Sequence, residues 1–401
     1  MRVYYHTFGC KANQYDTERM RQEAEARGAS TTEARPGADV FVVNTCTVTN
    51  QADADARKLI RRLHGDHPEA RIVVAGCSAA LKTQIELRAS LDRIDTEPVG
   101  GELLSRRRGG ARGWLKVQDG CDRKCSFCAT RLARGASRSR PASEVVAEAR
   151  LLARTHAELV VTGVHIGHYG VDLRPAESLS RLCARLLDEV PNARFRLGSI
   201  EATEVDDFLI DLLAGSDGRL APHLHMPLQS GADAVLRRMR RWHTRGQYRR
   251  RALEIAERVA PLGMGADIIT GFPGETVADH RTTVDLVAEL PFTYLHVFPF
   301  SPRDGTGAAE LPNPVAQRTA GERARELRSL AEGKGRAHRA ARVGTVAQVV
   351  LEGTGSTGLT GDYLRVDATP GTPGSRRLVQ GVLRGDGDHL RIDASYEMCP
   401  N

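Results

Sequence analysis

The stretch QDGCDRKCSFCAT, residues 118–130, carries three cysteines, Cys121, Cys125 and Cys128, spaced C-x3-C-x2-C. A structural zinc site is usually closed by four ligands, commonly arranged as C-x2-C pairs. A disulfide framework needs an even cysteine count in a short secreted chain. The triplet fits neither pattern. It fits a centre that takes three thiolates from one short loop and leaves a fourth position open.

Working outward, the loop follows the apolar run WLKV (114–117), the first of six strand-then-helix units between Gly113 and about Arg336. The other strands read LVVTG (159–163), RFRLGS (194–199), HLHMPL (223–228), ADIITG (266–271) and YLHVFPF (294–300). The helices between them are amphipathic. From Ser178 to Val190, one face carries Leu179, Leu182, Cys183, Leu186, Leu187 and Val190, which makes Cys183 a core residue. Six units are too few for a closed eight-stranded barrel, so an open, partial (β/α)6 barrel is expected over 114–336. Barrel chemistry sits at the carboxyl ends of strands, and the cysteine loop lies there.

Residues 1–105 alternate strand and helix: RVYYHT, a helix from Asn13 to Arg27, DVFVVNT, a helix from Asp53 to Leu63, then RIVVAG. This order predicts an α/β domain with a doubly wound parallel sheet. Each strand ends at a cysteine: Cys10, Cys46 and Cys77. Any one alone reads as a small buried residue. Together they mark the sheet edge where open α/β folds bind ligands. The Gly- and Arg-rich stretch ending at 106–113 reads as a linker. From 340 to 401 the pattern switches to period-two strands in TVAQVVLEG, LTGDYLRVDA, RRLVQGVL and HLRIDA, which predicts a small antiparallel, OB-like β-barrel. Cys399 falls in a polar tail with no pattern around it.

No apolar run approaches a membrane span. The start, MRVYYHTFGCK, lacks an apolar signal region, so a cytoplasmic protein with reduced thiols is expected. The formal charge is +7, and of 57 basic residues only six are lysine. Arginine forks suit phosphate, although genome composition produces the same bias. The run LRRMRRWHTRGQYRRR (236–251) places Trp242 and Tyr248 among eight arginines, which reads either as an RNA contact or as a solvated helix face.

Four cysteines usually close an iron–sulfur cube. With three, one iron keeps a free site that an amine and a carboxylate can chelate. S-adenosylmethionine (SAM) carries both groups, and one electron can then release a 5′-deoxyadenosyl radical, chemistry that belongs to the cofactor. The competing reading is a three-thiolate zinc site completed by His165 or His168.

The triplet, with Phe127 before its last cysteine and the barrel around it, resembles the radical SAM superfamily. A narrower resemblance runs through HTFGCKANQYDTERM, SRSRPASEVVAE, TGVHIGHYG, RLGSIEATEVDD, HLHMPLQSGADAVLRRMRR, GADIITGFPGET and HVFPFSPRDGT, in that order. These motifs, with Cys46 and Cys77, resemble the methylthiotransferase family. The tail TGLTGDYLRV resembles its RNA-binding TRAM domain. The resemblance implies two [4Fe–4S] clusters, an auxiliary one on Cys10, Cys46 and Cys77 and a radical SAM one on Cys121, Cys125 and Cys128. It also implies SAM, a tRNA substrate, an electron donor and a sulfur source.

GCKANQYDTE is most similar to members acting on N6-threonylcarbamoyladenosine in tRNA, giving the 2-methylthio product. The alternatives are isopentenyladenosine in tRNA, a ribosomal-protein aspartate, or a non-enzymatic zinc-containing RNA-binding protein. Departures from the family pattern are SAA after Cys77, RRWHT, and TGDYL. The expected contacts are Gly163 at a strand end and Ser199, Glu201 and Gln229 just past strand ends for SAM, and Ser230 just past a strand end, Asp267 within GADIITGFPGE and Arg140 in RSRP for substrate.

Overall fold

The computed structural model describes residues 1–81, 91–93, 103–353, 355–368 and 377–397. Cys399 lies outside them. In the first domain β1 (Arg2–Thr7), α1 (Lys11–Ala26), β2 (Ser30–Thr32), β3 (Val40–Thr45), α2 (Asn50–Asp66), β4 (Arg71–Gly76), α3 (Cys77–Ala80) and β5 (Leu91–Arg93) follow in turn. The strands form one parallel sheet in the order β2-β1-β3-β4-β5. The apolar run Val40–Val43 makes β3 the centre, buried on both faces. Phe41, Val43, Ile60, Leu63, Ile72 and Val74 pack on one side, and Val3, Val40, Val42 and Val73 on the other. Helix α1 starts two residues earlier than the sequence pattern predicts, because Cys10 is its extended N-cap residue.

The central domain runs β6 (Arg112–Lys116), β7 (Gln118–Asp119), α4 (Thr130–Arg134), β8 (Arg138–Ser139), α5 (Ala142–Ala153), β9 (Glu158–Thr162), α6 (Leu179–Glu189), β10 (Arg194–Leu197), α7 (Asp207–Gly215), β11 (His223–His225), α8 (Asp233–Arg238), α9 (Arg245–Arg258), β12 (Gly263–Thr270), α10 (Val277–Glu289), β13 (Tyr294–Pro299) and α11 (Gln317–Arg342). β7 and β8 make a small antiparallel pair. The other strands form two parallel sheets, β10-β9-β6 and β11-β12-β13, joined by a bridge between Ser199 and His225. The result is a six-stranded open barrel with its helices outside.

β6 begins at Arg112, inside the stretch expected as linker, because Arg112 pairs with Glu158 of β9. β11 stops at His225 rather than Leu228. The chain rejoins β12 through a bridge from Gln229, whose φ of 66° takes it out of strand geometry. Helix α11 continues past 336 to Arg342, where the Arg342 guanidinium bonds Asp362 at 2.9 Å.

The last domain is a closed barrel of β14 (Val346–Glu352), β15 (Thr357–Thr360), β16 (Arg365–Ala368), β17 (Leu378–Gly385) and β18 (Leu390–Glu397), in the order β14-β15-β16-β18-β17. The β16–β18 pair is parallel and the rest are antiparallel. The expected single strand LTGDYLRVDA splits into β15 and β16. The turn between them plugs the amino-terminal end of the open barrel. There Tyr363 stacks on His223 with ring centroids 4.3 Å apart. Beside it Arg194 and Arg196 donate to the carbonyls of Leu359 at 3.0 Å and Thr360 at 2.8 Å. One mouth of the barrel is thus closed, and the mouth at the carboxyl ends stays available.

Candidate active site

The Cys121–Cys128 loop leaves β7 at the carboxyl-end mouth. Gln118 anchors it: its amide donates to the carbonyls of Asp119 and Gly120 and accepts from the backbone of Val164 and His165. Ser126 is clamped to α8 and the residue after it through the carbonyls of Arg238, 2.8 Å, and Met239, 3.0 Å. All three sulfur residues are half-buried. His165 Nδ1 lies 3.6 Å from Cys121 Sγ, while its Nε2 sits 2.9 Å from Glu204. Burial opposes protonation of His165, but bonding to Cys121 and Glu204 raises its pKa to about 9. Arg241 donates to Cys125 Sγ at 3.7 Å and pairs with buried Glu201. Burial pushes the Cys125 thiol up to about 11 even though Arg241 opposes it. The guanidiniums of Arg123 and Arg241 lie 4.1 and 4.3 Å from the Trp242 ring centre.

Cys10, Cys46 and Cys77 follow β1, β3 and β4, which are neighbours in the sheet, so their backbones emerge side by side. Gly9 stands against Cys46: its φ is 92°, and a Cβ there would meet Cys46 Sγ at 2.6 Å. Asn13, fully buried on α1, gathers the three segments. Its amide donates to Phe8 O at 2.9 Å and Thr45 O at 2.8 Å, and its oxygen is 3.8 Å from Cys77 Sγ. Burial pushes the Cys77 thiol up to about 12; Arg134 opposes this, and the charges of Cys10 and Cys46 add to it.

The two sulfur sets are mechanically connected. Arg134, at the end of the helix that follows Cys128, donates to Cys77 Sγ at 3.4 Å and to Asn13 at 2.5 Å. It also forks onto both oxygens of Asp119, each at 2.9 Å, two residues before Cys121. Arg303, just past β13, reaches Thr47 at 2.6 Å and pairs with buried Asp53. Lys116 holds Asp16 of α1 at 2.6 Å.

The remaining expected residues divide. Glu201 stands beside Cys125 through Arg241. Ser199 bonds His225 Nδ1 at 2.8 Å, and Asp267 lies between His225 and His296 at 3.2 and 3.3 Å. Gly163 packs directly on Gln118, where a Cβ would meet the Gln118 carbonyl at 2.7 Å. Gln229 is buried, with its N–H bonded to Asp267 O at 2.8 Å.

Two residues hold the fold together where a substrate contact was expected. Arg140 spends its donors on Glu148 at 2.9 Å, Tyr15 at 3.2 Å and the Lys116 carbonyl at 2.8 Å, tethering the first domain. Ser230 is buried and accepts from the backbone of Ala232 at 3.2 Å beside Thr283. Tyr248 is likewise buried, its hydroxyl on Met226 O at 2.7 Å, so it offers no ring to stack a base. Within the same run Arg238, Arg241, Arg249 and Arg251 hold protein partners. Sequence reading missed Arg134 and Arg241. Nothing in their neighbourhoods distinguishes them from the other arginines.

Residues 2–96 match the family described as Uncharacterized protein family UPF0004, and residues 115–287 match the Radical SAM superfamily. The chain is 34% identical over 363 residues to threonylcarbamoyladenosine tRNA methylthiotransferase MtaB of Bacillus subtilis, covering 82% of this chain and 80% of the relative. It is 35% identical to MtaB of Rickettsia prowazekii, covering 80% and 81%. The tRNA-2-methylthio-N(6)-dimethylallyladenosine synthase of Cereibacter sphaeroides is 32% identical, with 93% and 97% covered. The chain belongs to the radical SAM methylthiotransferase family.

Among solved structures, the radical SAM methyltransferase TsrM from Kitasatospora setae superimposes with a TM-score of 0.53 at 16% identity, covering 77% of each chain, which supports the shared fold. As a radical SAM enzyme, this methylthiotransferase uses a [4Fe–4S] cluster and SAM. The donor chemistry fits. Burial favours the neutral thiol at Cys46, Cys77 and Cys125, a cationic centre draws such thiols to thiolates, and each set has one arginine donating to a sulfur. Membership of the radical SAM superfamily removes the zinc reading at this loop. Among the described residues, no helix is long and apolar enough to cross a membrane.

Proposed function

We propose that this chain is a cytoplasmic tRNA methylthiotransferase that converts N6-threonylcarbamoyladenosine next to the anticodon to its 2-methylthio derivative. Cys121, Cys125 and Cys128 hold the SAM-binding [4Fe–4S] cluster, and Cys10, Cys46 and Cys77 hold an auxiliary one. The observation that carries the reading is the Arg134 bridge, which ties Cys77 to the loop bearing the second sulfur set. The relatives named for threonylcarbamoyladenosine support the substrate.

When bound, the clusters and SAM supply one-electron chemistry at an unactivated C–H bond together with the methyl group of the product. The protein positions and shields. Arg241, held by Glu201, donates to Cys125. His165, held by Glu204, stands against Cys121. Trp242 stands by His165 within cation–π reach of Arg123 and Arg241. The Tyr363 plug closes the far mouth of the barrel, limiting water entry from below. The C-terminal barrel docks through Arg194 and Arg196 and is the RNA-binding module of this reading. An external electron donor and a sulfur source complete the reaction.

The test is mass spectrometry of tRNA nucleosides from cells with and without the gene. The 2-methylthio derivative of threonylcarbamoyladenosine should vanish in the deletion and return with the wild-type gene. It should stay absent with the Cys46→Ala form. Loss of the isopentenyladenosine derivative instead would move the substrate to that base.

A further inference from the structure

We propose that His225, Asp267 and His296 form a site for a divalent cation of borderline softness, such as Zn2+, on the wall of the barrel lumen. The three residues come from consecutive parallel strands, β11, β12 and β13. Side chains alternate along a strand. Met264, Ala266 and Ile268 of β12 and Val297 of β13 pack outward in the main core. Asp267 and His296 therefore face inward, and they are direct register partners. His225 pairs with Gly265, two residues before Asp267.

The spacing suits a metal. The Asp267 carboxylate lies 3.2 Å from His225 Nε2 and 3.3 Å from His296 Nδ1. A tetrahedral ion with ligand bonds of 2.0–2.1 Å has ligand edges of about 3.3 Å. All three ligand atoms fall within 4.8 Å of one another.

Two further observations point to a ligand. His225 is 8% exposed, and its Nε2 makes no aligned hydrogen bond despite the nearby carboxylate. Its other nitrogen is fixed by Ser199 Oγ at 2.8 Å. That is how an outer partner sets the ring and tautomer of a metal-binding histidine. Three protein ligands leave coordination positions open, as in sites that exchange ligands. His296, with 53% of its side chain exposed, lies on the open side. The site uses no cysteine.

A consequence rests on the substrate reading above. An open position on the metal accepts an oxygen donor, and the threonylcarbamoyl group offers a carboxylate and a carbamoyl oxygen. An isopentenyl group offers neither.

The test uses holoenzyme with both clusters reconstituted, so that the cysteines are occupied. After chelation and return of Zn2+ by equilibrium dialysis, elemental analysis should find about one zinc per chain besides the cluster iron. Co2+ in its place should show visible d–d bands without a thiolate charge-transfer band. Asp267→Asn and His296→Phe should each weaken binding at least ~10-fold, with iron content and cluster absorbance unchanged as the check on folding. Wild-type zinc below ~0.1 per chain, or variants that bind like wild type, or a thiolate-type Co2+ spectrum, would overturn the site. A threonylcarbamoyladenosine stem-loop should shift the Co2+ bands and an isopentenyladenosine one should not. Bands present but unmoved by either overturn the substrate contact and leave the metal site standing.

Discussion

Replacing Glu158 with Gln should detach the C-terminal barrel from the catalytic domain. Glu158 is fully buried at the start of β9. Its carboxylate bonds Arg194 at 2.6 Å and Arg196 at 2.9 Å. Burial alone would raise its pKa, but the two guanidiniums, helped by Arg112, hold it at about 2. The same burial lowers the Arg194 pKa to about 10, so the depression at Glu158 offsets a desolvation cost rather than standing as net stability. Removing one partner of a buried ion pair costs about 3–5 kcal/mol, because the remaining charges stay buried. The two arginines also reach the carbonyls of Gln348, Leu359, Thr360 and Gly361, so the loss falls on the docking surface.

For a unit of this size, about 3 kcal/mol should lower the melting temperature by about 6–12 °C. Thermal unfolding by circular dichroism, with limited proteolysis of the C-terminal barrel, reads both effects. The pH dependence carries a sign. A carboxyl whose folded pKa is depressed stabilises the fold above its unfolded pKa, and that contribution is lost as pH falls from about 4.5 toward 2. The gap between wild type and Glu158→Gln should therefore be full at pH 7 and shrink through that window. A melting temperature within about 2 °C of wild type at pH 7, or a gap that ignores pH, would refute the reasoning.

Asn13→Ala should strip the buried Thr45 carbonyl and the partly buried Phe8 carbonyl of their donor, at about 1–3 kcal/mol; iron should fall from about eight to about four per chain, with the SAM-dependent signal kept, by colorimetric assay and electron paramagnetic resonance. Gly9→Ala should do the same, since its φ of 92° and the 2.6 Å approach to Cys46 Sγ leave a methyl group no place. Arg241→Met should leave Glu201 buried without its cation and slow SAM cleavage by about 10–100-fold, with less effect on the auxiliary cluster. Tyr248→Phe should cost about 1 kcal/mol for its lost hydrogen bond to Met226 O; its affinity for tRNA in a filter assay should match wild type, because the ring is buried.

Much of the chemistry was legible before the fold. A thiolate triplet on one loop, and cysteines ending three strands of a parallel sheet, state a metal chemistry in residue types alone. The alternating and 3.6-residue patterns located every barrel strand to within a few residues. Where they slipped, an interaction from elsewhere in the chain decided the end: Glu158 for the start of β6, Asp362 for the reach of α11, and the plugging turn for the break between β15 and β16. Arg140, Ser230 and Tyr248 show why contacts are hard to read from residue types: an arginine, a polar residue near a strand end, or an aromatic among arginines reads identically whether its partner is a ligand or the protein itself.

The sequence by itself carried the cysteine-rich chemistry, the order of strands and helices and the sheet edge at which the cysteines emerge, because these follow from side-chain chemistry and short-range periodicity. Only the tertiary structure decided how the two sulfur sets are joined. Arg134 meets Asn13 across 121 positions of chain, and Arg303 meets Asp53 across 250. Pairings over such separations are selected by burial and charge in the folded state, and nothing local in the chain marks which arginine will make them.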